Sequence, residues 1–139
     1  MSGKHKTRTR ATEAFRRWAR EGCPDADTIR ASIALRRWPR EISTDGAYDL
    51  LACAVVFALL SEERSRGLWK NGHQKLIRDA VRCVYMEEPW RQLRRTEVTL
   101  RVRRFAVENY CTERNVYAML ATARAMWVRA RDQGDKSFQ

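Results

Sequence analysis

The stretch Thr96 to Arg131 reads TEVTLRVRRFAVENYCTERNVYAMLATARAMWVRAR, and its pattern decides how the chain is built. Val98, Val102, Phe105 and Ala106 recur at helical spacing and lead to Asn109-Tyr110. Val116, Met119, Leu120, Ala123, Trp127 and Ala130 give a following helix its inward face. Thr112 offers that second helix an N-cap, because its hydroxyl oxygen accepts from a first-turn N–H that no helical carbonyl reaches. Two helices joined by so short a turn must cross steeply, as in a helix-turn-helix. Such a crossing needs a small residue at the close approach, an apolar plug in the turn, and an aliphatic side chain four positions after the cap. Ala106, Cys111 and Val116 meet these demands. One position departs: Tyr110 stands where glycine is usual, and Asn109, which tolerates left-handed backbone, is expected to absorb the strain.

Outward from this stretch the reading stays helical. Three prolines, six glycines and the lack of any period-2 segment between hairpin turns predict an all-α chain, a bundle of about six helices with a C-terminal helix-turn-helix. Thr12 to Glu21 forms a short helix ended by Gly22 and Pro24. Asp25 and Asp27 cap a second, which runs to about Arg37 before Pro39. Ser43, Thr44 and Asp45 open a third that continues to about Arg66. A fourth spans about His73 to Glu88 and is closed by Pro89, and the last two cover about Glu97–Asn109 and Thr112–Arg131. The domain reading is a flexible basic arm over 1–11, a helical bundle over 12–92, a helix-turn-helix region over 93–132 and a disordered tail over 133–139.

The run Leu50 to Leu60 is apolar around more than one face, so it predicts either a fully enclosed central helix or a homodimer using its outer face, with the dimer preferred. Its eleven residues fall short of a bilayer span, and no apolar stretch follows the charged N-terminus as a secretory signal would require. No membrane association and a cytoplasmic location are therefore expected.

Formal charge is +11, and its placement matters more than its size. Residues 1–20 carry seven basic and one acidic residue, residues 21–93 eleven of each, and residues 94–131 nine basic and three acidic. A neutral middle between two basic ends fits a scaffold whose ends meet a polyanion. Chemistry-bearing sets are missing by comparison. Cys23, Cys53, Cys83 and Cys111 have no CxxC spacing, which predicts reduced thiols and no metal. His5 and His73 fall in an arm and a loop, and Glu62-Glu63 and Glu87-Glu88 lie at helix ends where solvated caps are the default. No phosphate-cradling glycine loop or HExxH occurs. The chain is expected to be no enzyme and to need no cofactor. The five tryptophans, Trp18, Trp38, Trp69, Trp90 and Trp127, are read as core or bundle-edge residues.

Leu93-Arg94-Arg95-Thr96-Glu97-Val98, then Val102-Arg103-Arg104-Phe105-Ala106, then Thr112-Glu113-Arg114-Asn115-Val116-Tyr117 resemble the C-terminal half of ArpU/RinA-like phage transcriptional regulators. The likeness covers about residues 76–131 and includes Ala80-Val81-Arg82-Cys83-Val84-Tyr85; Asn115 stands where such helices often carry threonine. It implies a helix-turn-helix similar to region 4 of bacterial sigma factors, late-gene transcription as the process, and a phage or prophage origin. A contact with RNA polymerase stays open.

With a recognition helix starting at Thr112, double-stranded DNA is the expected partner. Arg114, Asn115, Tyr117, Ala118 and Ala121 are the candidate base contacts, the arginine for guanine and the alanines for close approach. Arg94, Arg95, Arg101, Arg103, Arg104, Thr112 and Arg124 are the candidate phosphate contacts. Lys4, Lys6, Arg8 and Arg10 have the composition of an arm that enters a minor groove. The function read from the sequence is a sequence-specific regulator of transcription. Its alternative is a helical phage assembly or packaging adaptor that meets nucleic acid nonspecifically.

Overall fold

In a computed structural model of the chain, residues 3–35, 43–62 and 73–137 are described, the side chains at 3–8 and 135–137 excepted. Every regular element among them is helical, in an all-α arrangement of six helices. They are α1 (Gly3–Arg20), α2 (Ala26–Leu35), α3 (Thr44–Ser61), α4 (His73–Val81) extended by a π-helical turn (Arg82–Met86), α5 (Arg95–Glu108) and α6 (Glu113–Ser137). The expected end of the second helix near Arg37, the breaks at Gly67 and Asn71-Gly72, and Trp38 and Trp69 lie outside the described residues.

The centre is α3, and α1, α2, α4 and α6 all pack against it. Ser43 caps it, accepting from the Gly46 N–H at 3.1 Å. Leu50, Leu51, Ala52, Cys53, Ala54, Val56, Phe57 and Leu60 are buried, and Leu59 is the large apolar side chain of α3 left exposed. By length and mean hydropathy α3 could cross a membrane, but its burial among four helices is that of a bundle's core helix. Within one chain Leu50–Leu60 is largely covered by these four helices, with Ala58 and Leu59 on its exposed side. Instead of continuing to Arg66, α3 stops at Ser61, where Glu62 turns extended.

Among the described residues, helix runs further toward both ends than composition suggested. The expected flexible arm is helical from Gly3, and Arg10 is tied to α3 through Asp45 and Asp49 at 3.1 and 2.9 Å. At the other end α6 passes Arg131 and continues to Ser137, where a frayed tail was expected from residue 133. Two contacts explain the extension. Arg131 pairs with both Asp45 and Asp49, the latter at 2.7 Å, and Gly134 lies beside the Tyr48 and Leu51 side chains. Trp127, buried beneath Arg10 at 5.9 Å, donates its indole N–H to the Asp49 carbonyl at 3.0 Å. The N-terminal turn of α3 thus clamps α1 and α6 together. Trp18 is buried edge-on against Phe57, whereas Trp90 is 76% exposed, contrary to its expected packing role.

Gly134 stands inside a helix with ordinary right-handed backbone, and a methyl group there would meet Tyr48 and Leu51 at 3.7 and 3.9 Å, normal van der Waals distances. Gly134→Ala should therefore stabilise the protein by about 0.5–1 kcal/mol through helix propensity. Urea denaturation checks this; a destabilised variant would show that the helix end is not packed as described.

Candidate nucleic-acid interface

The region following α4 is shaped by unpaired carbonyls. The expected helix to Glu88 instead becomes α-helical to Val81 and π-helical to Met86, then leaves through Glu87 and a left-handed Glu88 at φ 49°. Carbonyls at such an end have no helical N–H to accept from. Arg16 of α1, 1% exposed, donates to the carbonyls of Tyr85 at 2.6 Å, Glu88 at 2.9 Å and Arg91. Arg101 of α5, 7% exposed, donates to those of Val84 at 3.0 Å and Glu87 at 3.1 Å. Arg20 adds a bond to the Pro89 carbonyl at 2.6 Å. Burial lowers the pKa of Arg16, partly offset by the charge of Glu13. Arg101, a candidate phosphate contact by sequence, is therefore an internal strut; its guanidinium is spent on carbonyls and on Glu97 at 3.7 Å. Glu97 also accepts from the two terminal guanidinium nitrogens of Arg91, and these bonds hold its carboxyl below the usual range.

α5 and α6 pack together as a helical hairpin joined through residues 109–112. The end of α5 is a Schellman motif: the Cys111 N–H donates to the Ala106 carbonyl at 3.0 Å and the Tyr110 N–H to that of Val107 at 3.4 Å. The left-handed residue is Tyr110 itself, at φ 55°, while Asn109 is at φ −110°. The strain assigned to Asn109 thus falls one residue later, because the motif requires it at the position after the cap. Asn109 instead donates its side-chain amide to the Phe105 carbonyl at 2.9 Å. Cys111 packs against the core as the expected plug, and Thr112 caps α6 by accepting from the Asn115 N–H at 3.0 Å.

One side of α6 is sealed and the other is open. Val116, Met119, Leu120, Ala123 and Trp127 are buried. Arg114, Asn115, Ala118 and Ala121 are exposed, and Tyr117 is 43% exposed. All five candidate base contacts therefore stand on the solvent side of the first turns of α6. The candidate phosphate contacts divide into two groups. Arg104 is held by Glu87 at 2.8 Å and by the Cys83 sulfur, and Arg103 pairs with Glu113 at 3.4 Å. The other arginine candidates for phosphate, Arg94, Arg95 and Arg124, have no acidic partner among the described residues, and neither has Arg114, the candidate base contact. Arg124 donates to the Tyr85 hydroxyl at 2.5 Å. Arg10 is withdrawn from the proposed minor-groove arm by its two aspartates, and the side chains of Lys4, Lys6 and Arg8 lie outside the described residues.

Arg95 and Arg124 line one cleft of about 390 Å³ between α1, α5 and α6, together with Tyr117 and the partly covered Leu93 and Val98. Sequence reasoning did not find this cleft, because its walls come from three segments far apart in the chain. Comparison with known protein families, with curated proteins and with solved structures finds no match for this chain.

Tyr110 is 97% exposed and makes no packing contribution that glycine would lose. Tyr110→Gly should stabilise the fold by about 1 kcal/mol by relieving left-handed strain, and Tyr110→Val should cost about as much. Chemical denaturation of both variants decides it: equal stabilities would mean that the turn does not need a left-handed residue there.

Proposed function

We propose that the chain is a sequence-specific DNA-binding regulator of transcription, acting in a bacterial cytoplasm and encoded by a phage or prophage. The observation that carries the reading is the sorting of α6. Its apolar side is sealed against the bundle, while Arg114, Asn115, Tyr117, Ala118 and Ala121 face solvent just after a capped, tight turn. A recognition helix presents its N-terminal turns to base edges in this way. Arg114 has the reach and the forked donors to bind guanine O6 and N7, and the two alanines leave room for the floor of the groove. The arginines not consumed inside the fold supply phosphate contacts. Arg94 and Arg95 stand at the start of α5, and Arg124 lies further along α6.

A second reading is favoured by exposed apolar side chains on the same hairpin. Leu100 and Val107 stand seven residues apart on α5, and Tyr110 follows in the turn, all well exposed. Such side chains suit a protein-binding surface and hence the assembly or packaging adaptor.

Selection from random-sequence duplex DNA, followed by titration against unrelated competitor, separates the two. A regulator should enrich one sequence and prefer it by roughly 10³ or more at physiological salt. Arg114→Ala should then lose about 1–3 kcal/mol on that sequence and little on random DNA. Arg94→Ala should weaken both alike and lower the salt slope by about one. Enrichment of no sequence would reject the regulator and favour the adaptor.

A further inference from the structure

We propose that the cleft between α1, α5 and α6 binds a small organic anion, a single acidic group carried on a flat apolar body. Its volume, about 390 Å³, lies within the range of ordinary small-molecule sites. The recognition elements are separated within it. Leu93, Val98, Leu120 and the ring of Tyr117 give an apolar wall, and Tyr85 is almost fully buried behind it. Arg95 carries no ion pair among the described residues. Arg124 gives one bond to the Tyr85 hydroxyl, which leaves most of its five N–H donors without an acceptor among the described residues. Against these two guanidiniums the cleft sets one carboxylate, Glu13, on α1. Two forked donors and one opposing carboxylate leave a net charge that one acidic group balances, and guanidinium matches carboxylate or phosphate in a planar, paired geometry. The apolar wall favours a ring over a bare ion. The site joins α1 to the α5–α6 hairpin, so an occupant touches both the bundle and the hairpin.

The test is a titration of the intact, DNA-free protein followed by NMR, with salicylate, phenyl phosphate, salicylamide and inorganic phosphate as probes. Salicylate or phenyl phosphate should bind saturably with Kd of about 0.1–1 mM, and shifts should centre on Tyr117, Leu120 and Val98. The tighter of the two identifies the acidic group. Salicylamide, which has the same shape without the charge, should bind at least about tenfold more weakly. Arg95→Gln, at an exposed position whose side chain has no ion pair among the described residues, should keep the fold and lose about tenfold in affinity, and Arg124→Gln should do the same. The proposal is overturned if neither aromatic anion saturates, if salicylamide equals salicylate, if inorganic phosphate equals phenyl phosphate, or if Arg95→Gln binds as the parent does. No DNA is present, so failure here leaves the regulator reading standing, and failure to select DNA leaves this one standing.

Discussion

The chain between Val84 and Arg91 turns sharply at the edge of the bundle, with Glu87, Glu88, Trp90 and Arg91 exposed, and its carbonyl oxygens converge on two guanidiniums from distant parts of the sequence. Arg16 comes from α1 and Arg101 from α5, and each binds several carbonyls at once. Buried carbonyls left alone would each cost roughly 1–3 kcal/mol, and buried guanidiniums left alone would cost more. Neither set could be buried without the other. The exchange fixes where α5 begins relative to the bundle, and therefore where the α5–α6 hairpin stands. Glu97 completes the arrangement by carrying Arg91 and lying within reach of Arg101, so the cationic cluster is charge-compensated at its rim.

A second polar junction works at the far end of the bundle. Asp45 and Asp49, in the first turns of α3, hold Arg10 of α1 and Arg131 of α6, with Trp127 and Tyr48 beneath the two guanidiniums. The carboxylates sit near a helix N-terminus, where its dipole favours them. Between the two junctions the core is apolar and centred on α3. The basic surplus is thereby divided. Arginines at the junctions are bonded within the fold by carboxylates or carbonyls, whereas Arg94 and Arg95 at the start of α5 and Arg114 on the open side of α6 have no acidic partner among the described residues.

Much of this was legible in the residues. The caps Ser43 and Thr112, the stop at Gly22, and the Ala106, Cys111 and Val116 positions of the hairpin all follow from local chemistry, which needs no knowledge of distant partners. Arg101 and Arg131 could have been recognised as internal. Arg101 shares the helical phase of Val98, Val102 and Phe105, and Arg131 that of Trp127 and Ala130; residue type misled where phase would not have. Arg16 lies off the arc of Ala11, Ala14, Phe15 and Trp18, and its partners are carbonyls about seventy residues away, so no local pattern reveals its burial. The π-helical turn was hidden for the same reason, since it is sustained by side chains from α1 and α5. The helical N-terminus and the length of α6 depend on Asp45 and Asp49, which the sequence offers only as members of a capping cluster. Candidate base contacts were readable from one helix; the cleft was not, because three helices build it.

The central claim is that Arg16 and Arg101 act through one shared set of carbonyls to seat the hairpin on the bundle. A double-mutant cycle with Arg16→Met and Arg101→Met, read by urea denaturation, tests it most directly. Each single variant should lose about 2–4 kcal/mol, and the double variant should lose at least about 1 kcal/mol less than the two combined, because the second removal acts on a turn already released. Losses below about 0.5 kcal/mol for either variant, or strict additivity, would contradict the account.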